Sequence, residues 1–79
     1  MATITATTLA QFLAYAEDAI NWRGAPMVDG NVGFGKEGRG NLTQMKRAGL
    51  ITTFRSDGEN FIEFTPEGRA LAAEHNIQV

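Results

Sequence analysis

The chain opens with a hydrophobic pattern that is typical of a helix. Apolar residues recur at i, i+3, i+4, i+7 and i+11, the spacing of one buried helical face, at Leu9, Phe12, Leu13, Ala16 and Ile20. Thr8 and Gln11 have the spacing of a capping box, in which each side chain bonds the other residue's backbone amide. Gly24 is a good end point because glycine adopts the left-handed conformation easily. We therefore predict a first helix from near Thr8 to the residues before Gly24, with Trp22 packed over the core.

A glycine-rich stretch follows. Pro26 limits residues 25–28 to an edge strand, since proline cannot donate to a central ladder. Residues 30–40 contain five glycines, and each glycine inside a helix costs about 1 kcal/mol relative to alanine. We therefore expect a loop over 30–40 with at most one helical turn, in place of a regular second helix.

A short helix is predicted over residues 41–48. Asn41 is suited to cap its first turn because its side-chain oxygen can accept from a backbone amide. Gly49 can take the left-handed conformation at the other end, and Leu50 can pack back on Met45, as a Schellman motif requires. Both ends of this helix are therefore specified by residue type.

A β-hairpin is predicted next, with strands over 50–55 and 60–64. Asp57 and Gly58 form a strong two-residue turn signal because both turn positions need a positive φ. This turn places Phe54 opposite Phe61, Thr53 opposite Ile62 and Ile51 opposite Phe64. Since side chains alternate between faces, Ile51, Thr53, Ile62 and Phe64 should face the core, and Thr52, Phe54, Phe61 and Glu63 the other side.

The last helix begins at Thr65, Pro66 and Glu67. Threonine caps, proline fits the first helical position, and glutamate is favourable at the positive end of the helix dipole. Ala70, Leu71 and Ala73 continue the helix, which should end over 75–77. The complete pattern predicts one α+β domain over residues 1–79.

Two sequence runs in this pattern resemble a known family. Residues 42–51, Leu-Thr-Gln-Met-Lys-Arg-Ala-Gly-Leu-Ile, are similar to the recognition helix and first wing strand of winged-helix regulators of the MarR and PadR kind. Residues 64–71, Phe-Thr-Pro-Glu-Gly-Arg-Ala-Leu, resemble the second wing strand entering the next helix. The resemblance implies a winged-helix-like fold that binds double-stranded DNA, with recognition helix 41–48 and wing 50–64.

The charge distribution agrees with that resemblance. The net charge is −2, but residues 36–55 carry five basic side chains and one acid, a net +4, and the remainder carries −6. A helix fits the major groove, and an adjacent hairpin can reach the flanking backbone. Five phosphate contacts would give a log–log salt slope of about −4.5. The DNA-binding residues that the resemblance implies are Lys36, Arg39, Thr43, Gln44, Lys46, Arg47 and Arg55.

A protein-interaction module is the alternative function. Phe54 and Phe61 form an apolar pair on the outer face of the hairpin, and exposed apolar patches often mark partner surfaces. The same fold could then dock on a protein partner, for instance as a phage-type inhibitor of a host complex. Formation of a homodimer is a further alternative. If Trp22 or the glycine-rich loop covers the two rings, this surface is lost.

Catalytic and cofactor chemistry are not predicted. The chain has no cysteine, and its one histidine, His75, has no suitable partner residues nearby in the sequence. Residues 33–38 match G-x-G-x-x-G, but no strand precedes them and no βαβ unit surrounds them, so a dinucleotide site is not expected. Their backbone amides could form an anion nest with Lys36 and Arg39. Alternatively, this segment is only a flexible connector. Without a signal peptide or an apolar run of membrane length, the expected location is the cytoplasm.

Overall fold

Three α-helices and one β-hairpin make up the described part of the chain. The computed structural model describes residues 4–28, 30, 32 and 38–79, except the side chain of Arg39. The three helices and the hairpin confirm the predicted α+β class. The Cα radius of gyration is 11.3 Å, close to the ~11.6 Å expected of a compact chain of this length. The elements are α1 (Ala6–Asp18), a 3-10 turn (Ala19–Trp22), α2 (Gly38–Arg47), β1 (Ile51–Ser56), β2 (Glu59–Phe64) and α3 (Pro66–Glu74).

Helix α1 begins earlier than the sequence predicts. Thr5, not Thr8, is the N-cap, and its hydroxyl oxygen accepts from the backbone amide of Thr8 at 3.1 Å. Thr8 lies inside the first turn with its side chain fully buried. The prediction that Thr8 caps the helix is wrong because a second threonine, three residues upstream, has the same capping chemistry.

At the end of α1, the residues that face the core differ from those that the helical pattern predicts. The helix gives way to the 3-10 turn at Ala19, which is buried, while Ile20 is 86 % exposed. The prediction that Ile20 belongs to the buried face is therefore wrong, because the tighter turn breaks the helical spacing at that point. Tyr15, which the sequence pattern missed, is completely buried. Arg23 and Gly24 then take positive φ values of 56° and 95° and end the segment, as Gly24 predicts.

The hairpin has the register that the Asp57–Gly58 turn predicts. Phe54 pairs with Phe61, and the turn residues have positive φ values of 52° and 81°. Residues 26–28 add a short edge segment to β2, since the Val28 amide donates to the Asn60 carbonyl and the Ile62 amide donates to the Pro26 carbonyl, both at 2.8 Å. The predicted edge strand is thus reduced to a single bridge, between Met27 and Phe61.

The core lies between the inner face of the hairpin and the helices. Ile51, Ile62 and Phe64 are buried, as the alternation of strand residues predicts, and the Phe64 ring meets the edge of Phe12 at a centroid distance of 5.6 Å. The remaining buried apolar residues come mainly from the helices: Tyr15, Ala16, Ala19, Met45, Leu50 and Ala72.

Helix α2 begins at Gly38, three residues before Asn41. The predicted loop over 30–40 allowed at most one helical turn, and its helical residues 38–40 are less than one turn, so only the predicted start at Asn41 is too late. The rest of that predicted loop lies mainly outside the described residues. The end of α2 agrees with the prediction, since a Schellman motif forms in which the Leu50 amide donates to the Met45 carbonyl at 3.0 Å and Gly49 has a φ of 76°.

Helix α3 begins as the sequence predicts. Thr65 is the N-cap and accepts from the Gly68 amide at 3.0 Å, and Pro66 occupies the first helical position. The helix ends at Glu74, followed by Asn76 at a positive φ of 63°. Its buried side, Gly68 and Ala72, packs toward the end of α2 and the hairpin.

Candidate nucleic-acid interface

The last turn of α2 presents two exposed cations. Lys46 and Arg47 are both exposed, and neither forms an ion pair with a described carboxylate. The helix contains no acidic residue. The negative end of the helix dipole stabilises cations at this position. Because no described carboxylate neutralises them, the two side chains are available to an external anion such as a phosphate.

The turn after α2 is fixed by α3. The Thr65 hydroxyl donates to the Gly49 carbonyl at 2.6 Å, and the Thr65 amide donates to the Leu50 carbonyl at 3.1 Å. Gly68 lies directly over that carbonyl, where a Cβ atom would be 2.0 Å from the Leu50 oxygen. Only glycine allows this close approach, and the contact holds the cationic end of α2 in place.

A buried polar cluster joins α2 to α1. The Thr8 hydroxyl lies 2.9 Å from Asn41 Oδ1 and 3.1 Å from Gln44 Oε1, and Asn41 Nδ2 donates to Gln11 Oε1 at 2.7 Å. Such directional bonds fix the rotation of α2 more narrowly than apolar packing does. Asn41 is therefore a buried cross-link, and the prediction that it caps α2 is wrong. Sequence reasoning missed this cluster because its members are about thirty residues apart.

Most of the described candidates on α2 lie on its exposed side. Thr43, Lys46 and Arg47 are exposed. Gln44 is half-buried and its Oε1 lies within hydrogen-bond distance of Thr8, so the prediction that it points outward is wrong. An amide that reads adenine needs both its oxygen and its nitrogen, and this oxygen is engaged. Lys36 and the side chain of Arg39 lie outside the described residues.

The hairpin differs from α2 in its balance of charged side chains. Arg55 is exposed and pairs with Asn60 across the strands, near the turn. The hairpin also carries three carboxylates and no other cation, and the carboxylates are those of Asp57, Glu59 and Glu63. By strand alternation Glu59 and Glu63 lie on the opposite face from Arg55, so the hairpin as a whole, unlike α2, carries a net negative charge.

The aromatic pair on the outer face is only partly open. Phe54 stacks on Phe61 at 5.5 Å with 19° between the ring planes, and Trp22 meets Phe61 edge-on at 6.1 Å. The Trp22 indole donates to Asp18 at 2.8 Å, which fixes its orientation. Phe61 is half-buried beneath Trp22, and Phe54 is 41 % exposed. The apolar patch predicted from two rings is therefore reduced to one exposed ring.

Comparison with known proteins identifies no relative of this chain. No family model, no curated protein and no solved structure matches it. None of the helices in the described ranges has both the length and the apolar character needed to cross a bilayer. Within those same ranges, no three histidine, aspartate or glutamate side chains are grouped so that they could hold a metal ion. Function is therefore inferred from the geometry and charge of the described residues.

Proposed function

We propose that this protein binds double-stranded DNA through the exposed side of α2, as a small transcription regulator or phage-type accessory protein. The observation that carries the proposal is the exposure of Lys46 and Arg47 on a helix without acids, whose end is fixed by α3. Ten residues of helix measure about 15 Å, and the major groove, about 12 Å wide, admits a helix of ordinary diameter. Lys46 is assigned to phosphate contact, and Arg47 and Thr43 to contacts near base edges.

A winged-helix-like arrangement is part of the same proposal. The order of α1, α2, hairpin and α3, the edge segment 26–28 beside β2, and the Schellman turn between α2 and β1 all support it. In such an arrangement the hairpin lies beside the groove-binding helix. Because the turn of this hairpin is flanked by carboxylates, we assign most of the phosphate contact to α2 and only a minor share to Arg55.

The proposal is tested by the salt dependence of binding to a random-sequence duplex. Each phosphate contact contributes about −0.9 to the log–log slope. The double variant Lys46→Ala/Arg47→Ala should therefore make the slope shallower by about 0.9, the share of the Lys46 phosphate contact, and weaken binding at 50 mM salt through both lost contacts. Fluorescence anisotropy at several salt concentrations between 50 and 200 mM measures both quantities.

Arg55→Ala is the comparison variant because it removes an exposed arginine from the hairpin. It should change the slope less than the α2 variants do. Binding that ignores salt, or a double variant with wild-type affinity and slope, contradicts the proposal. Thermal unfolding of each variant separates lost contacts from lost structure, because both cations also stabilise the helix end.

A protein-interaction module is the second candidate function. The observation that favours it is the exposure of Phe54 and Ile20, the large apolar side chains with the greatest exposure in the described ranges. Binding through them would depend little on salt and would be weakened by Phe54→Ala, whereas Lys46→Ala/Arg47→Ala would have no effect. The same two variants therefore decide between the two functions.

A further inference from the structure

A concave site lies beside the outer face of the hairpin. It has a volume of about 410 Å³ and shares no residue with α2. Ligand pockets in proteins are typically about 300–1,000 Å³, so this one is large enough for a small organic molecule. Its lining combines two cations, an aromatic ring and a carboxylate: Arg23, Gly24, Ala25, Phe54, Glu63, Arg69 and Val79.

We propose that this pocket binds a single unstacked nucleotide. The exposed ring of Phe54 offers a surface on which a base can stack, and stacking is favourable for every base. Arg23 and Arg69 provide planar guanidinium groups that can bond a phosphate in bidentate fashion. The Glu63 carboxylate can accept from the exocyclic amino group of a base, as glutamate does with cytosine.

The ring that would stack is held in place by its neighbours. Phe54 lies against Phe61, and Phe61 is supported by the edge of Trp22, whose indole is bonded to Asp18. Phe54 is nevertheless 41 % exposed. A ring that is fixed before the ligand arrives loses little conformational entropy on binding.

The two arginines come from two separate elements of the fold. Arg23 occupies a left-handed turn with a φ of 56°, and this turn is closed by the bond from the Gly24 amide to the Ala19 carbonyl at 2.9 Å. Arg69 lies in the first half of α3, where its amide donates to the Thr65 carbonyl at 2.9 Å. The two guanidinium groups offer hydrogen-bond donors to a phosphate, and the Glu63 carboxylate offers an acceptor to a base.

This inference goes beyond the DNA proposal and does not depend on it. A duplex keeps its bases stacked, so a base can reach Phe54 only from a free mononucleotide or from a single-stranded segment. Both sources have the same chemistry of base, sugar and phosphate. The experiment therefore includes both.

The test is a ¹H–¹⁵N NMR titration of the full chain with cytidine monophosphate. We expect saturable shifts of the amides around Arg23, Phe54 and Arg69. Uridine monophosphate is the matched ligand because it replaces the amino group with a carbonyl, and it should bind more weakly. Ribose phosphate lacks the base and should bind more weakly still. Oligo-dC titrated in parallel identifies the source: tighter binding than the mononucleotide indicates a single strand, and equal or weaker binding indicates a free nucleotide.

Three variants complete the test. Phe54→Leu keeps an apolar side chain but removes the stacking ring, and should weaken binding of cytidine monophosphate by about fivefold or more. Arg69→Gln should also weaken it, and Arg55→Gln, outside the pocket, should not. Lys46→Ala/Arg47→Ala should leave nucleotide binding intact while it weakens duplex binding, so the two proposals fail independently.

Several outcomes would overturn the inference. These are the absence of saturable shifts at millimolar nucleotide, shifts confined to α2, and equal binding of ribose phosphate and cytidine monophosphate. Wild-type binding by a folded Phe54→Leu variant would overturn it as well. If the two mononucleotides bind equally, the role assigned to Glu63 is wrong.

Discussion

Helix α2 and the β-hairpin contrast in charge and in what holds them. The helix carries three cations and no acid, whereas the hairpin carries one cation and three acids. The hairpin is specified by its own turn and cross-strand pairs. The helix is fixed by residues far away in the sequence, since Thr8 bonds Asn41 and Thr65 bonds the turn at Gly49.

The contrast teaches that the cationic surface depends on tertiary contacts. A ten-residue helix with two glycines in its first turn would be marginal in isolation. Lys46 and Arg47 are exposed on a helix that is held by contacts with α1 and with the start of α3. Substitutions at those contacts should therefore affect α2 strongly, even though they lie outside the proposed interface.

The largest effect is expected at the junction of α3 and the end of α2. In Gly68→Ala the new Cβ atom would lie 2.0 Å from the Leu50 carbonyl oxygen, a backbone atom that cannot move aside alone. We expect a loss of about 3 kcal/mol or more in the free energy of unfolding, typical of severe overpacking. Urea unfolding followed by circular dichroism measures this loss.

Gly40→Ala is the matched control, since a Cβ atom at this exposed position on α2 would meet nothing within 4 Å. Alanine favours a helix over glycine by about 1 kcal/mol, so this variant should be more stable than the wild-type protein. A Gly68→Ala variant of wild-type stability would show that α3 does not hold the end of α2.

The next effect is expected at the buried polar cluster. Thr8→Ala removes the hydroxyl that lies beside Asn41 Oδ1 and Gln44 Oε1, and leaves the buried Asn41 oxygen without that donor. The expected cost is about 1–3 kcal/mol of unfolding free energy. Thr7→Ala is the control, because Thr7 is its exposed neighbour on the same helix and should change stability by about 0.5 kcal/mol or less. Equal effects at the two positions would mean that the cluster does not stabilise α2.

The same contrast explains what the sequence can predict of this fold. The hairpin register, the Schellman turn and the cap of α3 follow from residues within a few positions of each other, and all three are confirmed. The start of α2 depends on contacts with α1 that no local pattern contains. Ile20 was misplaced because the change from α-helix to 3-10 turn at Ala19 is equally invisible to a spacing rule.

In the candidate site, too, features set by neighbouring residues are predictable, and features set by distant contacts are not. That Lys46 and Arg47 lie on the outer side of a helix follows from local spacing, and the structure shows both exposed. The orientation of Gln44 depends on Thr8, 36 residues away, and was predicted wrongly. That Arg55 lies on the opposite face of the hairpin from Glu59 and Glu63 follows from the register of the two strands, which the local turn already predicts.

The smallest effect tests whether the hairpin lies near DNA at all. Glu59→Gln removes one exposed negative charge beside the hairpin turn, and Glu17→Gln removes one from the exposed side of α1. Two unit charges about 10 Å apart in water interact by about 0.4 kcal/mol, so removing a repulsion of that size should tighten duplex binding about twofold at low salt. The gain should disappear at high salt, where the screening length is short. If Glu59→Gln gives the larger gain, the hairpin faces the duplex beside α2. Equal gains would show that only net charge matters and that α2 binds without the hairpin.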